Sequence, residues 1–191
     1  MAVTNISSFV EEIFQHSAEL LHYGGKKLLF ENNAKTVFGL VDQEKLERAI
    51  HNIISNAVKF SSHDSQIHAR LSRRNNMLYL TVQDEGNTQQ IQGNVYARFR
   101  RQPGLEDSRF GIGLGMVMIR AAAAAHGGTV LISHPEDGGT KLTMSITINQ
   151  DTEPMVRSYD LRVDYAGERD HTLIELADVL PPCVYEATNI N

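Results

Sequence analysis

Three polar side chains of one predicted helix have the types and spacing of a phosphate and metal site. Asn52, Asn56 and Lys59 are separated by four and three residues, so a helix places them on one stripe beside its apolar face. Amide oxygens are hard ligands for magnesium, and a lysine supplies a positive point charge for phosphate. The pattern indicates a phosphate and metal groove, while a solvated helix edge explains the same spacing when this helix is considered alone.

A carboxylate follows a predicted strand. Asp84 is in phase with Leu78, Leu80 and Val82, which predicts that its side chain points to the buried side, where an unpaired charge is costly. The exocyclic amine of a purine is one candidate partner, because Gly86 has no side chain and lets a flat ring approach the backbone. The alternative is that Asp84 begins a turn and bonds the local backbone.

A glycine-rich stretch precedes another predicted helix. Gly111, Gly113 and Gly115 lie just before it, where free backbone amides and the helix dipole favour an anion. The spacing alone is weak evidence. It matches neither a dinucleotide fingerprint nor a P-loop, because no strand immediately precedes it and no Gly-Lys-Ser/Thr follows.

Hydrophobic periodicity predicts three helices that position these groups. Ser8 begins the first helix as part of a capping box, and the glycine pair 24–25 ends it. Asp42 caps the second helix, whose apolar residues follow the i, i+3, i+4 rule. The third helix begins near Leu114 and ends at the glycine pair 127–128.

Alternating apolar and polar residues predict strands between the helices. The predicted strands cover residues 27–30, 36–40, 67–71, 78–82, 130–132 and 142–148. Because most of these strands are joined by short turns, we expect an α/β (α+β) two-layer sandwich. Its mixed, mostly antiparallel sheet would carry helices on one face.

The character of the chain changes after Gln150. We predict a catalytic body over residues 1–150 and a C-terminal extension over residues 151–191 that docks on it. In the extension, residues 161–165 alternate as in a strand, and a short helix follows. The predicted inner face of that helix consists of Leu173, Ile174, Ala177 and Leu180.

Composition excludes several classes of function. The chain has 18 basic and 23 acidic residues and a net charge of −5, which argues against a general nucleic-acid binder. Cys183 is its only cysteine, so no intrachain disulfide forms and a reducing compartment is expected. No apolar run approaches the roughly 20 residues of a membrane span. We therefore expect a cytoplasmic segment without membrane contact, whether or not the parent protein is anchored elsewhere.

The order of these motifs resembles the catalytic domain of sensor histidine kinases. Residues 52–60 are similar to the N box, 84–86 to the first glycine box and 111–115 to the second. Residues 95–101 look like the F box, and 126–130 like the segment after the third helix. The resemblance covers nearly all of residues 1–148 and implies the Bergerat fold, which histidine kinases share with gyrases, mismatch-repair ATPases and some heat-shock chaperones.

The resemblance also implies roles for individual residues. Asn56 would coordinate Mg²⁺, Asn52 and Lys59 would contact the phosphates of ATP, and Asp84, with Gly86 beside it, would bind the adenine amine. The remaining site residues are Phe60 near the base, Arg98 and Arg101 in a mobile lid over about residues 87–110, and Gly111, Gly113, Leu114 and Gly115 at the lid's end.

Two departures from the family pattern bear on activity. Thr88 stands where the family usually has a second glycine, which puts nucleotide affinity and lid geometry in question. Asn52 occupies the position at which the hydrolysing branches carry a glutamate base. Because an amide is not a useful proton acceptor, a kinase fits better than an ATPase.

The resemblance implies transfer of the γ-phosphoryl group of ATP to a histidine in two-component signalling. No histidine here is followed by Glu and soon by Pro, and His16 lacks both, so we expect a surface or packing role for it and no autophosphorylation of the chain. The expected partners are a histidine-bearing dimerisation domain of the same, homodimeric parent and a response regulator. The alternatives are a degenerate nucleotide-binding or interaction module without kinase activity, and an anti-sigma-factor-type serine kinase.

Overall fold

The computed structural model describes residues 1–61, 65–85, 114–136, 138–148 and 171–185. In chain order its elements are β1 (Ala2–Asn5), α1 (Ile6–Tyr23), β2 (Lys27–Asn32), β3 (Phe38–Val41), α2 (Gln43–Phe60), β4 (Gln66–Arg74), β5 (Met77–Gln83), α3 (Gly115–Ala125), β6 (Val130–Ser133), β7 (Lys141–Thr147), α4 (His171–Glu175) and a 3₁₀ turn (Pro182–Tyr185).

The main sheet has five strands in the order β2-β4-β5-β7-β6. β2 and β4 run parallel, and the other neighbouring pairs are antiparallel. This arrangement confirms the predicted mixed, mostly antiparallel sheet. A further strand, β1, was not predicted, and it pairs antiparallel with β3 in a separate two-stranded sheet.

One hydrophobic core lies between the sheet and the helices. Alternate residues of β5, namely Leu78, Leu80 and Val82, are buried, while the residues between them are half-buried. The helices contribute larger side chains to the same core, such as Phe14 of α1, Ile50 of α2 and Ile119 of α3, all fully buried. Each large side chain buried in this way contributes about 1.5–3 kcal/mol to folding.

The helix caps agree with the prediction for α2 and correct it for α1. The Asp42 carboxylate accepts a hydrogen bond from the Lys45 N–H at 3.1 Å, as expected of an N-cap. The first helix begins at Ile6, earlier than predicted, and its cap is Asn5, whose amide oxygen accepts from the Ser8 N–H at 3.3 Å. Ser8 was the wrong choice because the Ile6 N–H is already satisfied by the Val37 carbonyl, which lets the helix begin there.

The C-terminal helix also differs from the prediction. α4 ends at Glu175 and the chain then turns, so the helical period does not extend to Ala177. Ala177 is exposed and Ile174 is 47% exposed, so neither belongs to an inner face. Leu176, which was not on the predicted face, is fully buried, and Leu180 is buried as predicted. The strand predicted over 161–165 lies outside the described residues.

Candidate nucleotide-binding site

Helix α2 presents the predicted polar stripe at its edge. The opposite side of the helix is buried in the core and carries residues such as Leu46, Ile50 and Ile53. The stripe residues Asn52, Asn56 and Lys59 are instead half-buried, as expected for groups that border a groove, and so is the neighbouring Phe60. The helix therefore holds two amides and an ammonium group within about two turns of one another.

The structure brings the described end of the second glycine box, Leu114 and Gly115, against Asn52 of this stripe. The Asn52 side-chain amide donates to the Arg48 carbonyl oxygen at 2.7 Å. A Cβ atom at Gly115 would lie only 2.6 Å from the Asn52 Oδ1 atom, so a larger residue there would push the Asn52 side chain out of this position. Leu114 occupies the N-cap position of α3 without a side-chain cap, and its carbonyl accepts from the Met118 N–H. The partly positive N-terminus of α3 thus lies beside Asn52.

Asp84 lies at the end of β5, and its side chain is buried, as predicted. It is 4% exposed, and its Oδ1 atom accepts a hydrogen bond from the Thr140 N–H at 3.2 Å. The Asp84 N–H donates to the Thr140 carbonyl at 3.0 Å. These bonds join residues far apart in the chain, whereas the alternative prediction for Asp84 was a bond to the local backbone.

The neighbouring Gly139 allows this contact. A Cβ atom at Gly139 would lie 1.9 Å from the Asp84 carbonyl oxygen, and the φ of Gly139 is +78°, a conformation that favours glycine. The connection between β6 and β7 is therefore shaped to approach the Asp84 backbone. Sequence reasoning did not identify Thr140 or Gly139 as supports of this carboxylate.

A second missed contact fixes α3 to α2 at the other end. His126 is 5% exposed, and its Nε2 atom accepts a hydrogen bond from the Asp42 N–H at 2.9 Å. Because Nε2 accepts, the proton is on Nδ1, which donates to the Ala122 carbonyl at 2.7 Å. The sequence signal was a histidine placed just after a helix, but a single histidine there does not identify its partner.

Charged side chains surround the ends of α2. At its N-terminus, the Lys45 ammonium hydrogen-bonds the Asp42 carboxylate and lowers the pKa of that carboxyl below its ordinary value. Near its C-terminus, the Lys59 Nζ atom lies 3.5 Å from an Asp178 oxygen. In the N-terminal half of the helix, the Arg48 Nε atom lies 3.6 Å from a Glu175 oxygen. The last two contacts come from the C-terminal segment and were not predicted.

Several predicted site residues lie outside the described residues. They are Gly86, Arg98, Arg101, Gly111 and Gly113, together with Thr88 and the remainder of the predicted lid over 87–110. Within the described ranges, the structure contains no group of three or more His, Cys, Asp or Glu side chains arranged to hold a metal ion. In the same ranges, no helix combines the length and apolar character needed to cross a membrane.

This fold, with an asparagine-bearing helix against a glycine-led helix above a mixed sheet, is that of histidine kinase catalytic domains. A family model described as "Histidine kinase-, DNA gyrase B-, and HSP90-like ATPase" matches residues 41–150, more than half of the chain. The chain belongs to this family.

Its curated relatives include histidine kinases of very different total length. The chain is 26% identical over 153 residues to histidine kinase P4 of Formosa agariphila, covering 76% of this chain and 11% of that protein. It is 25% identical over 146 residues to the heme sensor protein HssS of Staphylococcus haemolyticus, covering 74% of this chain and 30% of that protein. The chain thus spans less than a third of these relatives.

Solved structures show the same fold. The catalytic domain of histidine kinase ThkA superposes with a TM-score of 0.65 at 16% identity, over 77% of this chain and 97% of that one. Full-length ShkA in complex with AMPPNP superposes with a TM-score of 0.64 at 18% identity, over 78% of this chain and 31% of that one. At these identities the likeness establishes the fold alone.

Proposed function

We propose that this chain binds ATP with Mg²⁺ and donates the γ-phosphoryl group to a histidine on a dimerisation domain in two-component signal transduction. The observation that carries the proposal is the contact between Gly115 and Asn52. It sets the positive end of α3 beside Asn52, on the helix edge that also carries Asn56 and Lys59, and this arrangement suits a phosphate chain.

The described residues support a division of roles. Asn56 supplies an amide oxygen for Mg²⁺, and Asn52 and Lys59 contact phosphates. Asp84 accepts a hydrogen bond from the adenine amine, because its carboxylate is already held in place by the Thr140 backbone. The roles of the other predicted residues remain those implied by the motifs, and these residues are Phe60, Gly86, Arg98, Arg101, Gly111, Gly113 and Leu114.

Phosphoryl transfer suits this site better than hydrolysis. A hydrolase needs a base to activate water, whereas Asn52 is an amide whose nitrogen is already bonded to the Arg48 carbonyl. Phosphoryl transfer needs mainly positioning and neutralisation of charge, which Mg²⁺, Lys59 and the lid arginines would supply. The partners of such a domain are the histidine-bearing domain of its own homodimeric parent and a response regulator.

The specific rival is a degenerate module without kinase activity, and Thr88 in place of the second glycine favours it. Calorimetry separates the two. Our proposal predicts Mg²⁺-dependent binding of ATP and ADP below millimolar concentration, and much weaker binding of GTP. It also predicts phosphate transfer from ATP to a histidine-bearing dimerisation domain added in trans. No binding of ATP or ADP at millimolar concentration would support the degenerate module, and transfer to a serine would support the serine kinase.

A further inference from the structure

The segment 171–185, which follows the family-matched region, is anchored against the helical layer. Leu176 and Val184 are fully buried and Leu180 is nearly so, all within the main hydrophobic core. The ring of Pro181 also packs against the end of α1, where a Cβ atom at Gly24 would lie 2.8 Å from the Pro181 Cδ atom. Apolar contacts on several residues fix the position of the segment relative to α1 and α2.

This anchored segment directs two carboxylates at the polar side of α2. Glu175 pairs with Arg48 at 3.6 Å, and Asp178 pairs with Lys59 at 3.5 Å. Arg48 and Lys59 lie about three helical turns apart and therefore on the same side of α2. The Lys59 side chain is only 12% exposed, whereas Asp178 is 63% exposed. The lysine is therefore the more confined member of the second pair.

A carboxylate at this place opposes phosphate binding. Lys59 is the only cation of the N-box stripe, and it follows Asn56 by less than one turn. When Asp178 lies against its ammonium group, that group's charge is partly neutralised, and the carboxylate repels an approaching phosphate. A phosphate chain must then displace Asp178 or share the lysine with it.

We propose that Asp178 is an additional residue of the nucleotide site, where it competes with the phosphates of the nucleotide for Lys59 and lowers nucleotide affinity. This inference rests on the proposed function, because it needs Lys59 to contact phosphate. It makes the C-terminal segment part of the site and gives it control over occupancy.

The test is calorimetric titration of the whole chain with Mg·ATP at low ionic strength, comparing Asp178→Asn with Glu175→Gln. Both variants remove one negative charge from the same segment, but only the Asp178 side chain faces Lys59. We expect Asp178→Asn to tighten binding about two- to fivefold, which is the range for an exposed ion pair. Glu175→Gln should leave the dissociation constant unchanged. Thermal melts of both variants would show that the fold is retained.

A double-mutant cycle makes the assignment specific. In a Lys59→Ala background, Asp178→Asn should no longer change affinity, because the competition acts through that lysine. If both carboxylate variants tighten ATP binding equally, the effect comes from the net charge of the segment and not from the contact with Lys59. That result would overturn the inference. Weaker binding by Asp178→Asn would also overturn it, because Asp178 would then position Lys59 or the metal.

If the wild type binds ATP and Asp178→Asn has no effect, only this inference fails. If the wild type binds no adenine nucleotide, the proposed function fails with it.

Discussion

At the residue scale, the chemistry of this site depends on a few polar groups whose orientation is set by backbone contacts. Asp84 is held by the Thr140 N–H, and the Asn52 amide is held by the Arg48 carbonyl. Because these bonds fix the side chains before any ligand arrives, less conformational freedom is lost on binding. In the proposed site, these two side chains are therefore preorganised for ligand binding.

Asp84→Asn tests the proposed adenine contact. The asparagine amide is similar in size to the carboxylate but carries no charge. We therefore expect the free energy of ATP binding to become less favourable by about 1.5–3 kcal/mol while the fold stays intact. Calorimetry together with a thermal melt measures both quantities. Equal affinity of the wild-type chain for adenine and guanine nucleotides would contradict this role for Asp84.

At the element scale, helix caps and contacts between helices decide where the polar stripe is placed. The backbone of Asp42 donates to His126, while its side chain caps α2. The N-terminus of α2 is thereby tied to the C-terminal end of α3, and the other end of α3 lies close to Asn52 at Gly115. A change at Asp42 should therefore affect the stability of the helical layer.

The Asp42 cap makes a prediction with a defined dependence on pH. Lys45 lowers the pKa of the folded-state carboxyl below 3.8, so its charge stabilises the fold above about pH 4 and this stabilisation is lost as pH falls through the lowered pKa. Asp42→Asn keeps a cap but removes the charge, and we expect a loss of about 0.2–1 kcal/mol at pH 7 that is smaller at pH 3. Asp42→Ala removes the cap as well and should cost about 0.5–2 kcal/mol. Denaturant unfolding at both pH values measures this, and a loss from Asp42→Asn that is the same at pH 7 and pH 3 would exclude the charge effect.

These elements also show which structural features can be predicted from local sequence patterns. The capping of α2, the hairpin of β4 and β5 and the ends of α3 were predicted closely, because periodicity and cap residues are encoded within a few neighbouring residues. β1 was missed because a strand of four residues is stabilised by its pairing with β3, not by its own pattern. The buried face of α4 was mispredicted because the helix ends after Glu175.

At the scale of the whole molecule, we propose that the C-terminal extension stabilises the catalytic body by docking on it. The matched pair Leu176→Ala and Ile174→Ala tests this, since the two residues are close neighbours but one is fully buried and the other 47% exposed. We expect Leu176→Ala to lower the free energy of unfolding by about 2–5 kcal/mol. Ile174→Ala should change it by less than about 0.5 kcal/mol.

Global unfolding in denaturant and limited proteolysis would measure the effect. Similar stability of both variants, together with rapid cleavage of the extension in the wild-type chain, would mean that the extension does not contribute to the fold. In that case its contacts with Lys59 and Arg48 would also be transient.

The amino-acid sequence by itself determined the helices, most strands, the class of fold and the order of the motifs, because each of these depends on residue type and short-range spacing. Only the tertiary structure decided which of these groups meet. Asp84 contacts Thr140 across 56 residues, and Lys59 contacts Asp178 across 119. Such pairs form only when packing of the core brings distant segments together, and no local pattern encodes them. The Asp178 competitor for Lys59 could therefore be inferred only from the folded chain.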